Sequence, residues 1–199
     1  NPIPPYVKLE TSLMSYAFPT EERELGNYIL DALGTEEEEL IATYDLGTFP
    51  MRVQSLNRTL IDKVFAVCDY YLLDKPHRNA RHLYDIYKLT EHVEMGSDFL
   101  ELVNEVRAHR ITMGNEIAPA APLDVNIVEL VQKLCDEDFY KEDYRETTLK
   151  LISDSLEYDQ IELKINFIRV ADYAKYFFLW LILVCLIVCA VVFFIATYP

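Results

Sequence analysis

Residues 55–89 read SLNRTLIDKVFAVCDYYLLDKPHRNARHLYDIYKL, and their spacing predicts two helices joined by a short basic turn. Ser55 can cap the first helix, whose Leu56, Leu60, Val64, Val67 and Tyr71 recur at the intervals of a single buried stripe. Pro76 has no amide proton and breaks the helix, with His77, Arg78 and Asn79 beside it. The second helix carries Leu83, Tyr84, Ile86, Tyr87 and Leu89. Each helix sets one charge among apolar neighbours, Lys63 in the first and Asp85 in the second. That pair is the candidate functional centre.

Upstream, the prolines of Asn1-Pro2-Ile3-Pro4-Pro5 suit an extended connection. Residues 6–13 alternate, with Tyr6, Lys8, Glu10 and Ser12 on one face and Val7, Leu9, Thr11 and Leu13 on the other, so a strand is expected. A lone strand needs partners, which places the rest of its sheet before Asn1. A helix is expected over 21–33, with Thr20 as cap, Glu21 and Glu22 at its positive end, Leu25, Ile29 and Leu33 as its stripe, and Gly34 as its stop. The acidic run Glu36-Glu37-Glu38-Glu39 points its carboxylates in different directions and reads as a solvated loop, not a metal site. Short strands are expected over 40–44 and 51–53, around a turn at Asp45 and Gly47.

Downstream the pattern stays helical. Ser97 or Asp98 begins a helix with Phe99, Leu102, Val103 and Val106 inward. The Ala-Pro segment 118–122 reads as a linker, and Asp124 as the cap of a helix carrying Ile127, Val128, Val131 and Leu134. A last helix over 142–156 would bury Leu149, Ile152 and Leu156. The expected fold is α+β: a mainly helical bundle with a small sheet.

The chain of 199 residues carries a formal charge of −15, which repels nucleic acid unless a local basic patch intervenes. Lys75, His77, Arg78, Arg81 and His82, in and around the central turn, are the best candidate for such a patch; the alternative is that they solvate an exposed turn. Cys68 and Cys135 sit at apolar helical positions, Cys185 and Cys189 lie in a hydrophobic run, and none has a metal-site spacing, so a reduced, cytoplasmic setting is expected. Residues 177–197 contain no charge and are long enough to cross a bilayer as a helix. Lys164, Arg169 and Lys175 flank that run on its N-terminal side only. The expected topology is therefore a tail anchor with the globular part in the cytoplasm.

The strings Arg58-Thr59-Leu60-Ile61-Asp62-Lys63 and Arg78-Asn79-Ala80-Arg81-His82-Leu83-Tyr84-Asp85 resemble the back half of the AbiEii/AbiGii nucleotidyltransferase toxin family. The resemblance extends over about residues 6–160 and includes Tyr6-Val7-Lys8-Leu9-Glu10 and Asp138-Phe139-Tyr140-Lys141-Glu142-Asp143-Tyr144. It implies catalytic roles for Lys63 and Asp85 and substrate contacts for Arg78, Arg81 and His82. Glu10, on the alternating strand, is a candidate third carboxylate; the alternative is an ordinary exposed strand Glu, since Lys8 lies on the same face. The resemblance also implies Mg2+ and an NTP as cofactors, RNA (tRNA the expected acceptor) as substrate, and a cognate antitoxin in a type IV toxin–antitoxin or phage-defence system. His82 stands where many relatives carry Asp.

The same resemblance implies metal ligands from a Gly-Ser followed by an acidic pair, upstream of the helical half. No stretch of this chain has that form: Gly96-Ser97 follows the central helices, and Asp136 and Asp138 lack the preceding Gly-Ser. No metal ligand is therefore assigned. The chain is expected to divide into a remnant nucleotidyltransferase lobe over 1–54, the helical half over 55–160, a juxtamembrane segment over 161–175 and a transmembrane helix over 176–198, anchored in the inner membrane through residues 177–197. It reads as an N-terminally truncated enzyme. The alternative is a non-catalytic, tail-anchored helical binding module.

Overall fold

The computed structural model describes residues 18–33 and 37–161. The strand expected over 6–13, with Glu10, and the apolar run 177–197 lie outside them. Among the described residues no helix is long and apolar enough to cross a membrane. The chain forms two compact units, Asn1–Thr59 and Leu60–Pro199.

In the first unit, β1 (Thr20–Leu25) and β2 (Phe49–Gln54) pair antiparallel, with Thr20 opposite Gln54 and Leu25 opposite Phe49. The helix expected over 21–33 is thus two elements, β1 and a short α1 (Tyr28–Leu33). Thr20 caps no helix; it opens the strand. The Glu-rich segment has helix propensity, but its ladder with β2 satisfies the backbone in the extended form. Gly26 and Asn27 separate the two, and the Asn27 Oδ1 accepts the Leu30 amide at 2.9 Å. Leu25, which looked like the first residue of a helical stripe, belongs to the strand.

The strand expected over 40–44 is also a helix, α2 (Glu38–Thr43), while the strand expected over 51–53 lies within β2. The β-branched Ile41 and Thr43 suggested extension. The run of Glu and Leu before them favours helix, and Glu38 and Glu39 complement its positive end. Glu38 and Glu39 of the acidic run therefore start a helix and do not lie in a loop, though they and Glu37 remain exposed. Asp45, in the expected turn, has a positive φ of 52°.

The long helix α3 (Leu56–Leu72) begins in the first unit and supplies the core of the second. The Ser55 Oγ accepts the Arg58 amide at 3.3 Å, as an N-cap should. Leu60, Ile61, Phe65, Val67 and Cys68 are buried together with Leu83, Ile86, Val106, Leu134, Tyr140, Tyr144 and Ile161. These come from α4 (Arg81–Leu89), α5 (Ser97–Ile111), α6 (Ile127–Asp136) and α7 (Lys141–Glu146) and the segment after it. The buried Tyr140 hydroxyl donates to the Val67 carbonyl at 2.7 Å and that of Tyr144 to the Leu156 carbonyl at 2.8 Å, so each brings an apolar ring into the core without a stranded polar tip. Cys68 and Cys135 are free and buried, and burial, with Asp69 adjacent, pushes the Cys68 thiol up to about 12.

Three expectations fail here. Segment 118–122 is packed, with Ala118, Ala120 and Ala121 fully buried. Small side chains permit that close approach, and the carbonyls are satisfied from a distance: the Arg107 guanidinium of α5 donates to Ala121 at 2.8 Å and also to Pro122 and Val125. The cap of α6 is Asn126, not Asp124; its Oδ1 accepts from Val128 and Glu129. The helix expected over 142–156 stops at Glu146 and gives way to a 3-10 turn, Thr148–Lys150. Thr147 bonds back to the Asp143 carbonyl at 2.6 Å, a local contact that competes with helix continuation. Leu149, Ile152 and Leu156 still pack on the core.

One charge pair lies inside this core. Asp69 on α3 is buried, pairs with the Arg110 guanidinium of α5, and accepts the Ala120 amide at 2.8 Å. Burial pushes its carboxyl up, against the lowering effect of the Ala120 amide and Arg110. Arg110 also faces Asp62 at 3.7 Å and lies over the Phe65 ring at 5.1 Å. Arg110→Ala strands the Asp69 charge and is expected to cost about 3 kcal/mol in urea unfolding; a loss below about 1 kcal/mol would mean that the pair is not structurally buried.

Candidate functional site

Lys63 stands on α3 four residues before the buried Val67, and Asp85 on α4 beside the buried Ile86. The chain turns between the two helices at Asp74 (φ 53°) and Arg78 (φ 63°) around Pro76, which folds α4 back onto α3. The Lys63 Nζ lies 2.7 Å from the Asp85 Oδ2. It also lies 3.1 Å from the His82 Nδ1, which is 3.8 Å from the same carboxylate. An ammonium can only donate, so we assign the His82 Nδ1 as acceptor and its ring proton to Nε2. The Tyr70 ring stacks on the His82 ring, with centroids 5.9 Å apart and planes 5° from parallel. His82 is thereby held on the interior side of the pair, with 12% of its side chain exposed against 28% for Lys63 and 37% for Asp85.

Burial by itself pushes the Asp85 carboxyl up, but the Lys63 ammonium, bonded to it at 2.7 Å, works the other way and the group lies below its ordinary value of 3.8. Asp85 is therefore a carboxylate throughout the neutral range. Two of the three Lys63 protons are directed at Asp85 and His82. A third partner is not found among the described residues, so one proton remains for a ligand. A pair this exposed contributes little stability. The cluster presents a fixed ammonium and an imidazole N–H, both suited to phosphate oxygens, next to a carboxylate that orients them.

The basic patch is only partly gathered. His82 joins the Lys63 cluster. Lys75, His77, Arg78 and Arg81 are exposed in the turn or at the first residue of α4, and among the described residues neither Arg78 nor Arg81 makes an ion pair with Asp85. The other acidic candidates stay apart: Asp138 pairs with Lys141 at 3.0 Å, Asp136 accepts from Gln132, and Gly96 precedes α5 with Glu101 and Glu105 exposed along it. Among the described residues no three His, Cys, Asp or Glu side chains are placed to hold a metal ion.

Sequence reading missed Asp143. Its buried carboxylate accepts the amides of Arg78 at 2.8 Å and Ala80 at 3.1 Å and faces the His77 Nδ1 at 3.5 Å. The available signal was an acid in a stretch that is otherwise turned inward, beside Tyr140 and Tyr144.

The model of the family described as nucleotidyl transferase AbiEii toxin, type IV toxin–antitoxin system, matches residues 1–168. The chain belongs to that family. The match is wider at both ends than the stretch over which the motifs are visible. Membership brings the general activity, nucleotidyl transfer, which draws on an NTP and a divalent metal, and a cognate antitoxin as partner. No curated protein and no solved structure matches the chain. The Lys63–His82–Asp85 cluster fits the phosphates of a nucleotide. It does not fit the metal: one carboxylate, already bonded to an ammonium, cannot hold a divalent cation that calls for several oxygens.

Ionised Asp85 favours the folded state above pH 3.8, and this contribution fades as the pH falls through its lower folded midpoint. In the 13C titration of the Asp85 carboxyl, the midpoint is expected below 3.8, and Lys63→Ala is expected to move it upward. A midpoint unmoved by that substitution would contradict the pairing.

Proposed function

We propose that Lys63, His82 and Asp85 form the phosphate-facing half of a nucleotidyltransferase site that moves a nucleotide from an NTP to RNA, with tRNA as the acceptor. The observation that supports this reading is the Lys63 ammonium, fixed by Asp85 at 2.7 Å and His82 at 3.1 Å and, among the described residues, left with a proton to donate. Lys63 neutralises charge on the triphosphate, and Asp85 holds Lys63 in place or receives the acceptor hydroxyl's proton. Arg78 and Arg81, exposed beside the cluster in sequence, supply the basic contacts that an acidic chain needs near a polyanion. Residues 177–197 serve as a membrane-spanning segment that anchors the chain in the inner membrane; their uncharged length supports this.

A binding module without catalysis is the second reading, favoured by the lack of a metal-holding group among the described residues. The two readings separate in one assay. The natively expressed protein is incubated with Mg2+, a labelled NTP and cellular RNA. Label is expected to enter RNA, and Lys63→Ala and Asp85→Ala each reduce it by on the order of 100-fold while the protein stays folded. Undiminished labelling in a variant removes that residue from the site, and no labelling by the parent protein favours the binding module.

A further inference from the structure

We propose that Asp143 is a positioning residue for the Lys63 cluster, acting through the turn that precedes α4. The carboxylate is buried, yet its strongest partners are not side chains. It takes the backbone amides of Arg78 and Ala80, at 2.8 and 3.1 Å, from a loop that lies far from it in sequence. Those amides lie just before the first residue of α4, where the positive end of the helix favours a negative charge. The Arg78 backbone, at φ 63°, is in the left-handed region that an arginine seldom adopts. Two amides on one carboxylate offset that cost and define where α4 begins.

The consequence falls on the next residues. His82 and Asp85 lie in the first turns of α4, and both partners of Lys63 are therefore set by the helix start that Asp143 holds. A small rotation of α4 separates the 2.7 Å and 3.1 Å contacts together, since both converge on one ammonium. Asp143 touches none of these three side chains; it determines their alignment. Its importance for transfer rests on the phosphate-facing reading of the cluster, whereas its effect on alignment does not.

Asp143→Asn keeps the size but replaces one acceptor oxygen with an NH2 that faces a backbone N–H. The test uses the full chain well below its unfolding temperature, with two readouts. In the 15N spectrum of the imidazoles, the His82 Nδ1-acceptor signature is expected to be lost or shifted, although the substitution is remote from that ring. Affinity for inorganic triphosphate is expected to fall about tenfold. Asp159→Asn, which removes an exposed partner of Lys141, is the control and should change neither. A lowered unfolding temperature with an unchanged His82 spectrum would overturn the proposal, because a merely structural aspartate does just that. If the parent chain binds no triphosphate, the phosphate-facing reading fails, while the His82 spectrum still decides the role of Asp143. Should Asp143→Asn not fold, amide exchange in the parent chain decides: slow exchange at both Arg78 and Ala80 supports the clamp, and exchange at open-loop rates overturns it.

Discussion

Burial of the inner face of α3 constrains the second unit more than any polar contact does. Leu60, Ile61, Phe65, Val67 and Cys68 are almost wholly removed from water and meet residues from α4 to α7 and the segment beyond. Each large side chain buried in this way is worth roughly 1.5–3 kcal/mol before chain entropy is counted. The helix cannot rotate without exposing them, so its polar residues are fixed too. Asp69 faces Arg110 and the Ala120 amide, and Lys63 faces α4. The charges do not build the core; the core aims the charges.

Two ionic arrangements result, with different roles. The Asp69–Arg110 pair is interior and joined by a backbone amide, and it ties α3, α5 and the 118–122 segment together. The Lys63–Asp85 pair is partly open and retains donor capacity. Placed in a chain of net charge −15, an ammonium with a proton to spare is a local exception to the prevailing potential. That contrast, together with family membership, is why the second pair is read as chemical and the first as structural.

The central helices were legible because periodicity, a capping serine and a proline break all agree over residues 55–89. Lys63 and Asp85 stood out as charges on apolar faces, and the motif strings supplied the catalytic expectation for them. What escaped was non-local. Thr20–Leu25 has a helical composition and becomes a strand only because Phe49–Gln54 lies across from it. The Ala-Pro stretch looks like a linker until Arg107, from another helix, is seen to take its carbonyls. Asp143 is invisible to any local rule, because its partners are backbone amides more than sixty residues away. Local patterns fix elements; long-range backbone pairing fixes the rest.

The central claim is that Lys63 and Asp85 meet for chemistry and not merely to join two helices. A charge swap in the natively expressed protein, Lys63→Asp with Asp85→Lys, tests it most directly. The swapped side chains keep opposite charges in contact, so unfolding stability is expected to stay within about 1 kcal/mol of the parent. Transfer of labelled nucleotide to RNA is expected to remain lost, because the ammonium then projects from α4 and no longer faces His82 from α3. Recovery of transfer by the swap would contradict the account.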